Sequence, residues 1–260
     1  MKIDWTDNTA PDGTPNREFR IRRDGARDIT GACWMPADPT PGKTLVCFGH
    51  GASGDRYQPP IASFARRISQ DHGLPVLSID GPVHGLRAQG DGGRDAFWPE
   101  FTRDAALDDM TADWTVAIDA IQALPEVGKG KLAYWGLSMG SIFGFPLIAS
   151  RDDVIAAVLG LFGIQDSMGR APFPHVEAFE RAAASITCPV LFMMQLEDEL
   201  FPREGYLRAF DALASDDKRI LANPGLHPEI PVEDLNYALD YLVATIEGRR
   251  GDRKAARTAE

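Results

Sequence analysis

Lys131-Leu132-Ala133-Tyr134-Trp135 followed by Gly136-Leu137-Ser138-Met139-Gly140 is the stretch whose reading decides the fold. An apolar run of five residues ends in G-x-S-x-G, the pattern of a nucleophile elbow, in which a strand turns sharply into a helix and holds a serine hydroxyl out above the sheet. The flanking glycines remove the side chains that would collide in so tight a turn. The next segment, Ile142-Phe143-Gly144-Phe145-Pro146-Leu147-Ile148-Ala149, reads as a buried helix with small residues where it nears the sheet, and Pro146 is expected to kink it.

Working outward, strand-like and helix-like segments alternate, which implies a parallel sheet. A hairpin-like pair at 17–23 and 28–34 comes first. Strands are then expected at 44–48, 75–79, 131–135, 155–160, 189–194 and 218–222, and helices at 61–70, 104–124, after the elbow, and at 175–184, 203–213 and 232–246. The helix from Asp104 has the clearest period: Leu107, Met110, Trp114, Ile118 and Ile121 form one apolar stripe, and Asp104, Asp108 and Asp109 favour its positive end. No repeat or composition break divides the chain, so one domain over 1–247 is expected, with a loop insertion at about 85–103 and a disordered, charged tail at 248–260.

The chain has 260 residues, 44% hydrophobic and 25% charged, with a net charge of −11. That balance disfavours nucleic acid and anionic membranes as partners. No run approaches the roughly 20 apolar residues of a membrane span, and Met1-Lys2-Ile3-Asp4-Trp5-Thr6-Asp7 lacks the apolar core of a secretory signal, so a cytoplasmic location is expected. Cys33, Cys47 and Cys188 have no metal-like spacing and read as buried, reduced thiols, and the five histidines offer no metal motif. A homodimer is only the base-rate expectation for quaternary state.

An elbow serine needs a base and an acid from later strands. Gln195-Leu196-Glu197-Asp198-Glu199 comes after the strand at 189–194, and Asn223-Pro224-Gly225-Leu226-His227 after the strand at 218–222, so both place polar groups past strand C-termini, where open parallel sheets gather their chemistry. His227 is the expected base and Asp198 the expected acid, with Glu197, Glu199 and Asp166 as competitors. Ser138 has the alternative of being a plain helix N-cap, and His227 of being an ordinary loop histidine. His50 and His84 are expected to stabilise loops rather than to catalyse.

On these residues the chain resembles the α/β-hydrolase superfamily, near the dienelactone hydrolases and prolyl-oligopeptidase-like esterases. The resemblance rests on His50-Gly51-Ala52-Ser53-Gly54, Asp80-Gly81-Pro82-Val83-His84-Gly85, the elbow, the 198–202 segment and Gly225-Leu226-His227. It implies a mostly parallel eight-stranded sheet with helices on both faces, a Ser138, Asp198 and His227 triad, an oxyanion hole at the backbone N–H groups of Ala52 and Met139, and no cofactor. The chain departs from the pattern at three places: serine rather than the cysteine of dienelactone hydrolases proper, Val83 where a glycine is frequent, and Gln195 where a glycine often stands three residues before the acid. The expected reaction is hydrolysis of small soluble carboxylic esters through an acyl-enzyme. Thioester, acyl-transfer, C–C bond and small-peptide chemistry with the same triad, or a non-catalytic ligand-binding fold, are the alternatives. Phe97, Trp98 and Phe101 are expected either to wall the substrate pocket or merely to pin their loop.

Overall fold

The computed structural model describes residues 2–250 of the chain. Its centre is a sheet of nine strands: β1 (Lys2–Thr9), β2 (Pro15–Arg22), β3 (Ile29–Trp34), β4 (Leu45–Gly49), β5 (Val76–Ile79), β6 (Leu132–Gly136), β7 (Val154–Gly160), β10 (Val190–Gln195) and β11 (Lys218–Asn223). They lie in the order β1-β2-β3-β5-β4-β6-β7-β10-β11. Pairings from β1 through β3 to β5 are antiparallel, and those from β5 through β4, β6, β7 and β10 to β11 are parallel. A two-stranded hairpin, β8 (Ser167–Met168) with β9 (Ala171–Pro172), stands apart from the sheet.

The central strands are almost wholly apolar because they are covered on both faces. Successive side chains point to opposite sides, and the core divides accordingly. Cys47, Tyr134, Leu159 and Phe192 enter one cluster, whereas Val46, Phe48, Ala133, Trp135, Val158 and Leu191 enter the other. The first cluster is roofed by α3 (Ala106–Gln122) through Met110, Trp114 and Ile118, and by α4 (Met139–Ala149) and α5 (Val176–Ala183). The second is covered by α1 (Ile61–Asp71) through Phe64 and Ile68, and by α7 (Val232–Ile246) through Leu239 and Leu242. The remaining helices are α2 (Gly93–Phe101) and α6 (Arg203–Ala212).

Three expectations need correction. The sheet has nine strands rather than eight because β1 pairs along its whole length with β2. Its polar sequence hides an edge strand whose Trp5 meets Phe19 edge-on and lies under the Arg17 guanidinium at 4.1 Å. The segment expected as a loop over 85–103 contains α2 despite Gly92, Gly93 and Pro99, since burial of Phe97 and Phe101 outweighs poor helix propensity. The start of the expected tail is ordered: Arg250 donates to both carboxylate oxygens of Asp217 at 2.9 and 2.7 Å and lies 4.0 Å from the Tyr241 ring centre. The rest of that tail, 251–260, lies outside the described residues. Pro146 sits inside α4 without ending it. No helix among the described residues is long and apolar enough to cross a membrane.

One topological detail positions the site. From β4 the chain moves to β5 on one side and then to β6 on the other, so the loops leaving β4 and β6 part over neighbouring strands and open a crevice at their C-terminal ends. Gly49 at the end of β4 is the register partner of Gly136 at the end of β6. The His50–Gly54 loop and the elbow therefore start side by side.

Candidate active site

Ser138 has φ 57° and ψ −119°, a conformation that side chains rarely adopt. The surroundings over-determine it. A Cβ on Gly136 would come within 2.5 Å of the Gly140 carbonyl oxygen, and one on Gly140 within 2.3 Å of the Gly49 carbonyl oxygen, so only glycines permit this approach. The Ser138 N–H donates to Gly160 O at 2.9 Å. Beneath the turn, Ser141 Oγ reaches the carbonyls of Gly136 and Gly160 at 2.7 and 2.8 Å and accepts the Gly160 N–H, while the Tyr134 hydroxyl donates to Gly140 O at 2.7 Å. Ser138 occupies the N-cap position of α4, yet its side chain caps nothing.

Its hydroxyl instead meets His227. Ser138 Oγ lies 2.9 Å from His227 Nε2, and His227 Nδ1 lies 2.7 Å from Asp198 Oδ2. With Nδ1–H donating to the carboxylate, Nε2 is left as the acceptor for the serine proton. Asp198 is itself held: Oδ1 accepts the N–H groups of Leu200 and Phe201 at 2.7 and 3.0 Å, and Oδ2 accepts the Tyr206 hydroxyl. Burial acts to raise the Asp198 carboxyl, but the hydrogen bonds from His227 and Tyr206 outweigh it and hold it below its ordinary value. Asp198 therefore stays ionised beside the imidazole.

The competing acids do other work. Glu199 accepts the His227 backbone N–H at 2.9 Å, Glu197 accepts that of Gly225, and Asp166 pairs with Arg208 at 2.7 Å. Gln195, standing where a glycine is frequent, points its amide into the histidine loop and donates to Glu229 O at 2.8 Å and to the Pro224 and Leu226 carbonyls at 3.3 Å. That departure thus supplies an anchor for His227.

On the opposite wall, His50 takes the Gly81 N–H on Nε2 at 2.8 Å and meets Gly51 O through Nδ1 at 2.8 Å, while His84 Nε2 meets Ala52 O at 3.0 Å. Burial pulls both imidazoles down, His84 to about 4 with His50 adding to the effect, so both are neutral at pH 7 and bind loops rather than protons. Behind them, Asp80 is fully buried and takes Arg56 Nη1 at 3.2 and 3.0 Å and the Thr30 hydroxyl at 2.6 Å. A Cβ on Gly85 would sit 2.2 Å from Asp80 Oδ1, which accounts for the glycine closing that loop. Gln58 adds a clamp that the linear sequence does not announce. Its Oε1 accepts the Gly51 N–H at 2.5 Å and its Nε2 donates to Ser53 Oγ at 2.9 Å, bracketing Ala52. Among the described residues no hydrogen bond occupies the N–H of Ala52 or Met139.

Ser138 and His227 open into a cavity of about 430 Å³. Phe97, Trp98 and Phe101 of α2 line one side, joined by Met168 of the small hairpin, Phe173, Leu200 and Phe201. The α2 aromatics are also anchors: Phe97 stacks on Phe101 at 5.3 Å, and Phe101 meets Phe173 and His175. Pocket wall and loop pin are therefore not alternatives, because the same three side chains serve as both.

No family model matches the chain. A solved cold-adapted esterase from an Arctic intertidal metagenomic library, in a PEG-bound complex, is 32% identical over 94% of this chain and 99% of its own, with a TM-score of 0.78. This chain is an esterase-like α/β-hydrolase. The fold is shared more distantly with Est1E of Butyrivibrio proteoclasticus, solved with ferulic acid, at 17% identity and TM-score 0.65 over 88% of this chain and 99% of that one. An acetyl xylan esterase of Paenibacillus sp. R4 has 17% identity and TM-score 0.67 over 93% of this chain and 88% of that one. In this α/β-hydrolase the supporting groups that sequence reasoning missed are Gln58, Tyr206 and Glu199. Glu199 alone left a signal, as a competitor for the acid's role. Gln58 and Tyr206 act through contacts with no local pattern. The three cysteines of the hydrolase are buried and free, and burial pushes the Cys33 and Cys188 thiols up to about 12.

Proposed function

We propose that this chain hydrolyses carboxylic esters of small soluble compounds by a serine mechanism. The observation that carries the proposal is the unbroken path from Ser138 Oγ through His227 to Asp198, at 2.9 and 2.7 Å, on the floor of an apolar cavity. The 32% identity to a solved esterase over nearly the whole chain supports the ester as the bond attacked.

In this mechanism the Ser138 oxygen bonds to the ester carbonyl carbon as its proton passes to His227 Nε2, and the carbonyl electron pair moves onto oxygen. That oxyanion is received by the backbone N–H groups of Ala52 and Met139, each such donor being worth about 3 kcal/mol of barrier. The C–O bond to the alcohol then breaks, and the leaving oxygen takes the proton from His227. Water enters, gives a proton to His227, attacks the acyl-enzyme, and returns Ser138 to its hydroxyl form as the acid departs. Asp198 keeps the imidazole in the one tautomer that accepts from Ser138 and stabilises its cation. Side chains and backbone amides perform each step. Phe97, Trp98 and Phe101 bound the space for the substrate body, and a cavity of about 430 Å³ is of the size that takes a small organic molecule.

The test is intact-protein mass spectrometry after fluorophosphonate treatment, alongside hydrolysis of p-nitrophenyl acetate, butyrate and octanoate. One adduct is expected on the native chain and none on Ser138→Ala, whose turnover should fall by about 10⁴-fold or more. An adduct retained by the variant, or unchanged turnover, would sink the mechanism.

A further inference from the structure

Arg94 is the one guanidinium, and the one side chain of fixed charge, among the residues lining the cavity; no aspartate or glutamate lines it. It is exposed, lies in the first turn of α2, and has no hydrogen-bond or ion-pair partner among the described residues. This is unusual in an acid-rich chain of net charge −11, whose other arginines mostly hold carboxylates. Helix geometry explains its aim. Residues 94, 97, 98 and 101 are spaced i, i+3, i+4 and i+7, so Arg94 shares one face of α2 with Phe97, Trp98 and Phe101, and all four line the cavity. Three other polar side chains of the lining are already engaged: Gln58 with Ser53 and Gly51, His50 with Gly51 and Gly81, and Ser138 with His227.

An aromatic wall ending in an unpaired guanidinium suits a ligand with an apolar body and an anionic end, since planar carboxylates match the guanidinium's paired donors. We propose that the substrates are esters carrying a free carboxylate remote from the scissile bond, recognised by Arg94. This rests on the serine-hydrolase reading and names its substrate class. The carboxylate belongs either to the acyl part, as in a dicarboxylic acid hemiester, or to the alcohol part, as in an acyloxybenzoate.

Two matched pairs separate these sources: 4-nitrophenyl hydrogen glutarate against methyl 4-nitrophenyl glutarate, and 4-acetoxybenzoate against 4-acetoxybenzamide. In at least one pair the native enzyme should favour the anion by about tenfold in kcat/KM, mainly through KM, and added NaCl should erode the preference. Arg94→Gln should bring the ratio to near one, and Arg94→Glu should invert it. Ratios near one in both pairs for the native enzyme, or a preference unchanged in Arg94→Gln, would overturn the assignment. If neither pair is turned over, the hydrolase reading is what fails, and calorimetry of 4-acetoxybenzoate against 4-acetoxybenzamide then decides the Arg94 site separately. Anion-selective binding lost in Arg94→Gln supports it; absent or Arg94-independent binding refutes it.

Discussion

The floor of the cavity and its roof are built on different principles. The floor, from β6 through Ser138 into α4, is backbone pressed against backbone: Gly136, Gly140 and Gly49 meet at distances that exclude any Cβ, and Ser141 and Tyr134 tie the turn from below. The roof, formed by α2 and the β8–β9 hairpin, is side chain laid over side chain: Phe97, Phe101 and Phe173 interlock, with Trp98 and Met168 facing the cavity. Interlocking backbones leave one geometry available, as proposed acyl chemistry requires. Packed aromatics can change shape one residue at a time, as selection among substrates requires. Changes to the floor should thus affect every substrate alike, and changes to the roof should re-rank them.

The largest effect is expected from Gly140→Ala, whose added methyl would stand 2.3 Å from a β4 carbonyl that cannot move without shifting the central sheet. A loss of about 3 kcal/mol or more in urea unfolding is expected, with fluorophosphonate labelling impaired in whatever folds. Near-native stability and labelling would mean that the floor yields. Gln58→Ala should leave the fold intact but loosen the loop around Ala52, lowering kcat by about tenfold with KM little changed for short and long esters equally. A change confined to KM would move Gln58 from positioning the loop to holding substrate. The smallest effect is expected from Trp98→Ala, which opens a half-buried wall: stability should fall by about 1 kcal/mol and the ratio of octanoate to acetate hydrolysis should rise about threefold. A uniform loss across esters would break the division between floor and roof.

The same division separates what is legible in the linear chain. The elbow reads easily because its constraint is local: strand, turn and helix lie within twenty residues, and the glycines mark where backbone must meet backbone. His227 reads by its place after β11. Asp198 reads only as one of several acids, because nothing local tells a carboxylate that meets an imidazole from neighbours that bind amides; the distance of 2.7 Å to His227 Nδ1 is a tertiary fact. The helix α2 is masked by Gly92, Gly93 and Pro99, whose propensities are overruled by burial of Phe97 and Phe101. The strand β1 is masked by its polar residues, as befits an edge that faces water on one side. Gln58 and Tyr206 reach their partners through contacts that no spacing encodes.

The placement of Asp198 and His227 after β10 and β11, which come last in the chain and form one end of the sheet, bears on how the protein is made. A ribosome delivers Ser138 first, about ninety residues before its base. Until β10 and β11 dock beside β7, that serine has neither imidazole nor carboxylate and is no more reactive than any other alcohol in the cell. On the proposed mechanism, reactivity therefore arrives with the closing of the sheet, and a nascent or truncated chain carries no active nucleophile into the crowded surroundings of translation.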